Sequence, residues 1–233
     1  MHLHHVNLIA QTDFRDLGTW NVLSINIKYN KKWVFFAESQ LRSLAFYDQF
    51  HYYEVKGGGG WIATPDIKLF IGLGSYNTYK EGGNFRLPYN QQEIRVWQQL
   101  NTKQKLSKIE LELEHRYRIE QRYTNKGYRN RFRYRLGFSL PIIRRKLSED
   151  IILFMTTWNE IFFTNKAPYF ERNRFFIGLG YEWNFIFTTI AGWIHQLDYR
   201  ILDEVGKNFF QLSVIFNLDY GKTTKTVPPS SIE

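Results

Sequence analysis

Arginines at alternate positions between residues 129 and 135 are the side chains of this chain best suited to binding chemistry. Arg129, Arg131, Arg133 and Arg135 are each separated by one residue. A guanidinium presents a planar fork of N–H donors that binds a carboxylate or a phosphate through two hydrogen bonds. Four such groups on one side of a segment predict either ion pairs with carboxylates of the same protein or a site that attracts anions.

Acidic residues alternate in the same way in the preceding segment, which reads IELELEHRYRIEQR from residue 109. The three central segments, 91–100, 109–122 and 129–140, place eight arginines and five glutamates on the predicted inner face, a local excess of three positive charges. We expect Glu160 to join them as a counter-ion and Arg174 to enter from a later segment. Two interpretations stay open, a plug of mutually neutralising ion pairs and an anion-binding site. The predicted charge network consists of Glu93, Arg95, Glu112, Glu114, Arg116, Arg118, Glu120, Arg129, Arg131, Arg133, Arg135, Glu160 and Arg174.

The charges also predict how the segments 91–100 and 109–122 pair. Opposite charges across an antiparallel ladder stabilise the pairing, and like charges destabilise it. One register places Glu93 opposite Arg116 and Arg95 opposite Glu114, whereas a shift of two residues places Glu93 opposite Glu114. We therefore expect the first of these registers.

Candidates for catalysis are weaker. Serine and histidine together could serve acyl transfer to or from lipids, and His51, His115 and His195 are available. No motif surrounds the hydroxyl residues Ser43, Ser75 and Thr157. The sequence therefore favours a protein that is not an enzyme and has no cofactor or metal, with a lipid-modifying enzyme as an alternative. The chain has no cysteine, which excludes disulfides and thiolate metal sites.

Strands must position these charges, because successive side chains of a strand point to opposite faces. The faces opposite the charges are apolar over 109–119, 132–138 and 210–220. A charged face backed by an apolar face fits an outer-membrane β-barrel, which has a polar lumen inside and lipid outside. We expect an all-β, antiparallel transmembrane barrel with a charged and largely filled lumen. The side chains expected to contact lipid are Leu111, Leu113, Phe132, Tyr134, Leu136, Leu212 and Phe216.

Composition supports this class. Aromatic residues make up 18% of the chain, yet the mean hydropathy is only −0.42. No apolar stretch approaches the roughly 18 residues of a membrane-spanning helix. The formal charge of +9 could indicate nucleic acid, but the charges alternate with apolar residues along strands instead of forming a basic surface. A soluble ligand-binding or RNA-binding β-barrel remains an alternative.

Turn residues divide the chain into eleven candidate strands, among them 67–79, 91–100 and 187–199. These strands are joined by alternating short and longer connections, the longer ones including 45–51 and 123–128. Single-chain bacterial barrels have an even number of strands, so the sequence predicts ten or twelve. Residues 8–10 read like the end of a secretory signal. We therefore expect a signal-peptide remnant at 1–10, one barrel domain at 11–220 and a polar tail at 221–233.

Several segments in this order resemble a family of outer-membrane barrels of Gram-negative bacteria, the domain-of-unknown-function family 2490. They are LGTWNVLSINIKY, ELEHRYRIEQR, RFRYRL, WNEIFF, ERNRFFIGLGYEWN and FQLSVIFNLDY. The resemblance implies a membrane barrel in the outer membrane and no particular reaction. The expected role is a structural or accessory component, or a narrow path for a solute such as an anion. The expected partners are outer-membrane lipid, the insertion machinery and other envelope proteins, without nucleic acid.

Overall fold

A computed structural model describes residues 17–144, 151–201 and 203–221, and these residues form a closed β-barrel. The all-β barrel expected from the sequence is confirmed. Its strands are β1 (Gly18–Lys28), β2 (Trp33–Ala45), β3 (Asp48–Thr64), β4 (Ile67–Tyr79), β5 (Tyr89–Leu106), β6 (Leu111–Thr124), β7 (Gly127–Arg144), β8 (Ile151–Thr164), β9 (Phe170–Glu182), β10 (Phe187–Tyr199) and β11 (Glu204–Asp219).

Closure of the barrel departs from the expected even number of strands. The described residues form eleven strands, each antiparallel to its sequence neighbour, so β1 and β11 run in the same direction. They pair in parallel, from Gly18 opposite Phe209 to Lys28 opposite Asp219. The expectation of ten or twelve strands was wrong because an odd number can still close when its first and last strands form a parallel ladder.

Three side-chain contacts stabilise this parallel seam. Asn26 donates a hydrogen bond to Asn217 at 3.0 Å, and Lys28 forms an ion pair with Asp219 at 3.0 Å. Trp20 also meets Phe209 edge to face, with ring centroids 5.6 Å apart. The seam therefore carries side-chain bonds in addition to its main-chain ladder.

Apart from the bulges, side chains alternate between lumen and outer surface along each strand, as the period of two predicts. On β6 and β7 most of the arginines are buried in the lumen, while Tyr117, Ile119 and Phe132 are exposed on the outside. All seven side chains expected to contact lipid lie on the outer surface, half-buried or exposed. The barrel thus has a charged interior and an apolar exterior, the reverse of a soluble core.

Glycines directly opposite aromatic residues make room inside the barrel. Gly72 lies opposite Trp97, and Gly180 lies opposite Phe154. At either glycine an added Cβ would overlap the facing ring. Glycine inside a strand marks such a close approach, and the buried rings fill the space that the missing side chains leave.

Two connections are shorter than the sequence suggested. The expected longer loops at 45–51 and 123–128 are tight hairpins, with β2 ending at Ala45 and β3 beginning at Asp48. At the other hairpin Gly127 has a positive φ of 105°, and Thr124 binds both Lys126 and Gly127 through its hydroxyl. Polar residues at 45–51 and 123–128 belong to strand ends that continue beyond the apolar belt, which is why they resembled loops.

The proposed signal remnant at 1–10 and residues 222–233 of the polar tail lie outside the described residues. In the part of the chain that the structure describes, no helix is long and apolar enough to span a membrane.

Candidate functional site

Strands β6 and β7 set arginines directly opposite one another inside the lumen. Arg116 faces Arg135 and Arg118 faces Arg133 across the ladder. Like charges in such positions repel, so the pairing requires carboxylates from elsewhere in the barrel. We call the buried arginines of β5, β6, β7 and β9 the arginine zone: Arg95, Arg116, Arg118, Arg122, Arg131, Arg133, Arg135 and Arg174.

Glu160 on β8 is the first carboxylate that holds this zone together. It is fully buried and accepts hydrogen bonds from Arg116 at 2.7 Å, from Arg133 at 2.9 and 3.0 Å, and from Arg135 at 3.3 Å. Its position follows from the strand order, because Glu160 lies opposite Arg135 on one side and Arg174 on the other. The sequence-based assignment of Glu160 as a counter-ion agrees with these contacts.

Glu120 on β6 is the second such carboxylate and is also fully buried. It pairs with Arg131 at 2.6 Å and with Arg133 at 2.7 Å, and Arg118 and Arg95 lie at 3.7 and 3.9 Å. Arg133 binds both Glu120 and Glu160, so it connects the two groups of ion pairs. Charge-assisted, forked contacts of this kind are the strong class of hydrogen bond.

Glu93 and Glu171 complete the network toward one rim. Glu93 accepts two hydrogen bonds from Arg95, at 2.8 and 2.9 Å, and also binds Arg122. Glu171 binds Arg122 at 3.2 Å and Arg131 at 3.4 Å. Glu171 was not among the predicted residues, because strict alternation with Arg172 and Arg174 would point its side chain outward. A bulge between β8 and β9 shifts the register here and turns Glu171 toward the arginines.

Other residues of the predicted network do not bind the four carboxylates described above. Glu112 and Glu114 pair with Lys103 instead of arginine. Arg129 lies half-buried opposite Arg122 and has no ion pair within the described residues. Arg174 donates to Gln196 at 2.8 Å and lies against the rings of Trp20 and Phe162, both at 4.8 Å.

The predicted register between β5 and β6 was wrong. Glu93 lies opposite Thr124, Arg95 opposite Arg122, and Lys103 opposite Glu114. The hairpin turns only after Leu106, so β5 extends six residues beyond its predicted end at residue 100. Cross-strand charge matching failed as a guide because Glu93 bridges Arg95 and Arg122 from within the lumen, which removes the penalty of placing two arginines opposite each other.

Aromatic rings pack against several of the buried arginines inside the barrel. Arg118 lies over Trp97 at 4.1 Å, Arg135 over Trp158 at 3.9 Å, and Arg42 over Trp20 at 3.2 Å. A guanidinium over an aromatic face gains cation–π attraction, which increases when water is excluded. The tryptophans therefore divide into two groups. Trp20, Trp97 and Trp158 lie inside, whereas Trp33, Trp61, Trp183 and Trp193 are exposed.

A second group of ion pairs crosses β2 and β3. Lys56 binds Glu38 at 2.6 Å and Glu54 at 2.7 Å, and Arg42 binds Glu54 at 3.3 Å. Gln40 extends this group by accepting a hydrogen bond from the Trp20 indole at 3.0 Å. Charged and polar side chains thus fill the lumen on both sides of the barrel.

Two of the three histidines considered for catalysis have amide or phenol partners. His115 hydrogen-bonds to Tyr134 and His195 to Asn208, each at 2.9 Å, while His51 lies on β3 beside Tyr52. In the described ranges no group of three or more histidine or acidic residues could hold a metal ion. The chemistry open to this site is therefore that of the arginine zone, whose guanidinium groups can bind carboxylates and similar anions and fill the lumen.

Comparisons with known proteins leave one match. No curated protein and no solved structure matches the chain. The model of the family described as "Protein of unknown function (DUF2490)" matches residues 17–205, which is most of the described barrel. The resemblance drawn from the sequence is therefore confirmed, and the protein belongs to the DUF2490 family.

Proposed function

We propose that this protein is an integral outer-membrane β-barrel of a Gram-negative bacterium, with a lumen closed by ion pairs. Its role in this proposal is that of a non-enzymatic structural or accessory component of the envelope. The observation that carries the proposal is the inverted distribution of side chains, with buried charges inside and apolar groups outside. Lipid around the barrel would cover the apolar exterior.

The apolar exterior is continuous around much of the barrel. Val55, Leu73, Ile94, Ile119 and Leu179 each expose at least half of their surface, and they lie on five different strands. Soluble monomers rarely expose apolar patches of more than a few hundred square ångströms. An apolar belt of this extent favours a membrane over the alternative of a soluble ligand-binding or RNA-binding barrel.

Polar side chains on the outer surface also favour a membrane environment. Gln98 and Gln121 exchange two hydrogen bonds, at 3.1 and 3.3 Å, and Asn159 and Asn173 do the same at 3.1 and 3.2 Å. In hydrocarbon a polar group must find its partner within the protein. These outward amides pair with each other, which suits a surface that faces lipid.

The filled lumen favours a closed barrel over an open pore. Arg118, Glu120, Phe162 and Glu160 are fully buried within it, and interlocked ion pairs leave little room for free solute at this level. We therefore expect the native protein to show no steady conductance in planar bilayers.

Membrane fractionation tests the proposal directly. The protein should sediment with the outer membrane, resist extraction by carbonate or urea, and show heat-modifiable mobility on gels. Recovery in the soluble fraction, or spin labels at Leu113 and Phe216 that are quenched by polar reagents but not by oxygen, would disprove the membrane assignment. A large, steady conductance would instead disprove the closed lumen alone.

A charge in the middle of the outer surface should be costly. Leu136 lies midway along β7 on the outer face, so Leu136→Arg should lower the free energy of unfolding by roughly 2–4 kcal/mol in a lipid bilayer. Tyr128→Arg is the matched control, because Tyr128 has the same orientation on the same strand beside the hairpin at Gly127. It should cost about 0–1 kcal/mol. Equal costs at the two positions in reversible unfolding would contradict a lipid-facing belt.

A further inference from the structure

Among the described residues, the arginine zone carries more positive charge than the carboxylates that pair with it. The zone has eight arginines, and its ion pairs are made with Glu93, Glu120, Glu160 and Glu171. Within the described part of the chain, arginines of the zone thus outnumber these carboxylates by four. Unbalanced charges away from water are expensive unless paired, so a further negative charge would stabilise this part of the lumen.

The missing hydrogen bonds are concentrated at two arginines. Arg116 and Arg135 lie directly opposite each other and are 1% and 5% exposed. Each donates to Glu160 through Nη2. Among the described residues, Nε and Nη1 of Arg116 and Nε of Arg135 have no hydrogen-bond partner. Three buried N–H-bearing nitrogens of these facing arginines are thus available to a further acceptor.

Gly137 leaves the neighbouring inward position of β7 without a side chain. It is the next inward position on β7 after Arg135, and it lies opposite Trp158. At Gly72 and Gly180 the facing ring covers the glycine, but a Cβ added at Gly137 would meet nothing closer than Trp158 Cβ at 3.6 Å. The Trp158 ring instead stacks on Phe176, with centroids 5.3 Å apart, and lies under Arg135.

The adjacent carboxylate is paired with a lysine and not with these arginines. Glu114 lies opposite Gly137 on β6, where Lys103 approaches it at 3.6 Å and Asn101 donates to it at 3.4 Å. Lys103 also pairs with Glu112, so the two glutamates share one cation, and Glu114 Oε2 accepts no hydrogen bond from a described residue. The free donors of Arg116 and Arg135 therefore remain for another acceptor.

We propose that Arg116 and Arg135 bind a small oxyanion of the phosphate or sulfate type beside Gly137, inside the lumen. An oxyanion can accept forked hydrogen bonds from guanidinium groups. It would supply negative charge that the arginine zone lacks. The inference rests on the closed, charged lumen of the proposed function, and it identifies an anion as a component of the plug. The donors lie inside the lumen and are separated from the outer surface by the barrel wall. The ligand is therefore a free ion and not the headgroup of a lipid outside.

Refolding into detergent micelles in different anions tests this site. The unfolded protein is refolded in sodium phosphate, sodium sulfate or sodium chloride at equal ionic strength, and its thermal midpoint is measured by heat-modifiable gel mobility. We expect a saturable increase in phosphate and sulfate that chloride does not reproduce. Adding phosphatidic acid vesicles without inorganic phosphate should give no such increase. An increase with the vesicles alone would overturn the assignment to a free ion.

Three variants make the test specific. Arg135→Lys retains the charge but loses the Nε donor, and phosphate affinity should fall about tenfold with loss of one hydrogen bond to a charged group. Gly137→Val keeps both arginines but fills the space beside them, so it should also weaken phosphate binding. Arg144→Gln is the control for net charge, because Arg144 pairs with the exposed Glu110 at the rim, and it should respond to phosphate like the native protein.

Equal midpoints in phosphate, sulfate and chloride for the native protein would overturn the proposed site and would mean that water alone satisfies these donors. An equal phosphate effect in the native protein, Arg135→Lys and Gly137→Val would also overturn it. These readouts use the isolated folded barrel, so they can fail while the protein still fractionates with the outer membrane. Conversely, a soluble protein that responded to phosphate would refute the proposed function and leave the anion site standing.

Discussion

Replacing Glu160 with glutamine should lower the free energy of unfolding by about 3–5 kcal/mol, the cost of breaking a buried ion pair by removing one partner. Glu160 is fully buried and holds Arg116, Arg133 and Arg135 together. Glutamine has nearly the same shape, but it carries no charge and its amide nitrogen would point a donor at arginines that are donors themselves. The loss therefore comes from unpaired positive charge and not from a cavity.

Chemical unfolding of the barrel in micelles, followed by tryptophan fluorescence, measures this effect. Glu110→Gln is the matched control, because Glu110 also pairs with one arginine but its side chain is 51% exposed. Exposed ion pairs contribute about 0–1 kcal/mol, so this control should be nearly neutral. A loss below about 1 kcal/mol for Glu160→Gln would show that water reaches the zone and solvates the arginines there.

Most of the barrel could be predicted from local alternation of side chains. The segment 67–79 was predicted with the bounds that β4 has, and 187–199 with those of β10. Alternation also predicted the lumen face of β6 and β7, because a single strand suffices to define which side chains share a face. The charged interior was therefore predictable before any pairing was known.

Registers and bulges were not predictable in this way. The register between β5 and β6 depends on where the hairpin turns, and Arg95 opposite Arg122 is tolerated only because Glu93 reaches both. Glu171 enters the lumen through a bulge that breaks the alternation. The pairing of glycine with an opposite ring likewise depends on register, since Gly180 and Phe154 are distant in sequence. Each of these features depends on contacts between strands, about which a single strand carries no information.

Gly180→Ala should destabilise the barrel strongly, because the inside of the barrel has no space for the added methyl group. Gly180 lies opposite Phe154, which is 2% exposed, and an added Cβ would overlap the ring at Cζ. Extra atoms in a packed core cost typically 1–3 kcal/mol, occasionally more. We expect the upper part of this range, since the ring is enclosed by the barrel wall. Gly59→Ala is the control, because a Cβ there meets the nearest Phe35 ring atoms at 3.4 Å.

A double-mutant cycle separates this overlap from a general intolerance of β9 to substitution. Phe154→Leu removes the ring carbon that the new methyl would strike, and alone it should destabilise the barrel by leaving space. Combined with Gly180→Ala, the two changes should cost less than the sum of their separate effects, with a coupling of about 0.5–3 kcal/mol. Additive losses in chemical unfolding would mean that the ring moves aside and that the glycine serves the backbone instead. Coupling of the expected sign would establish that the small inward residues of this barrel are dictated by the rings opposite them.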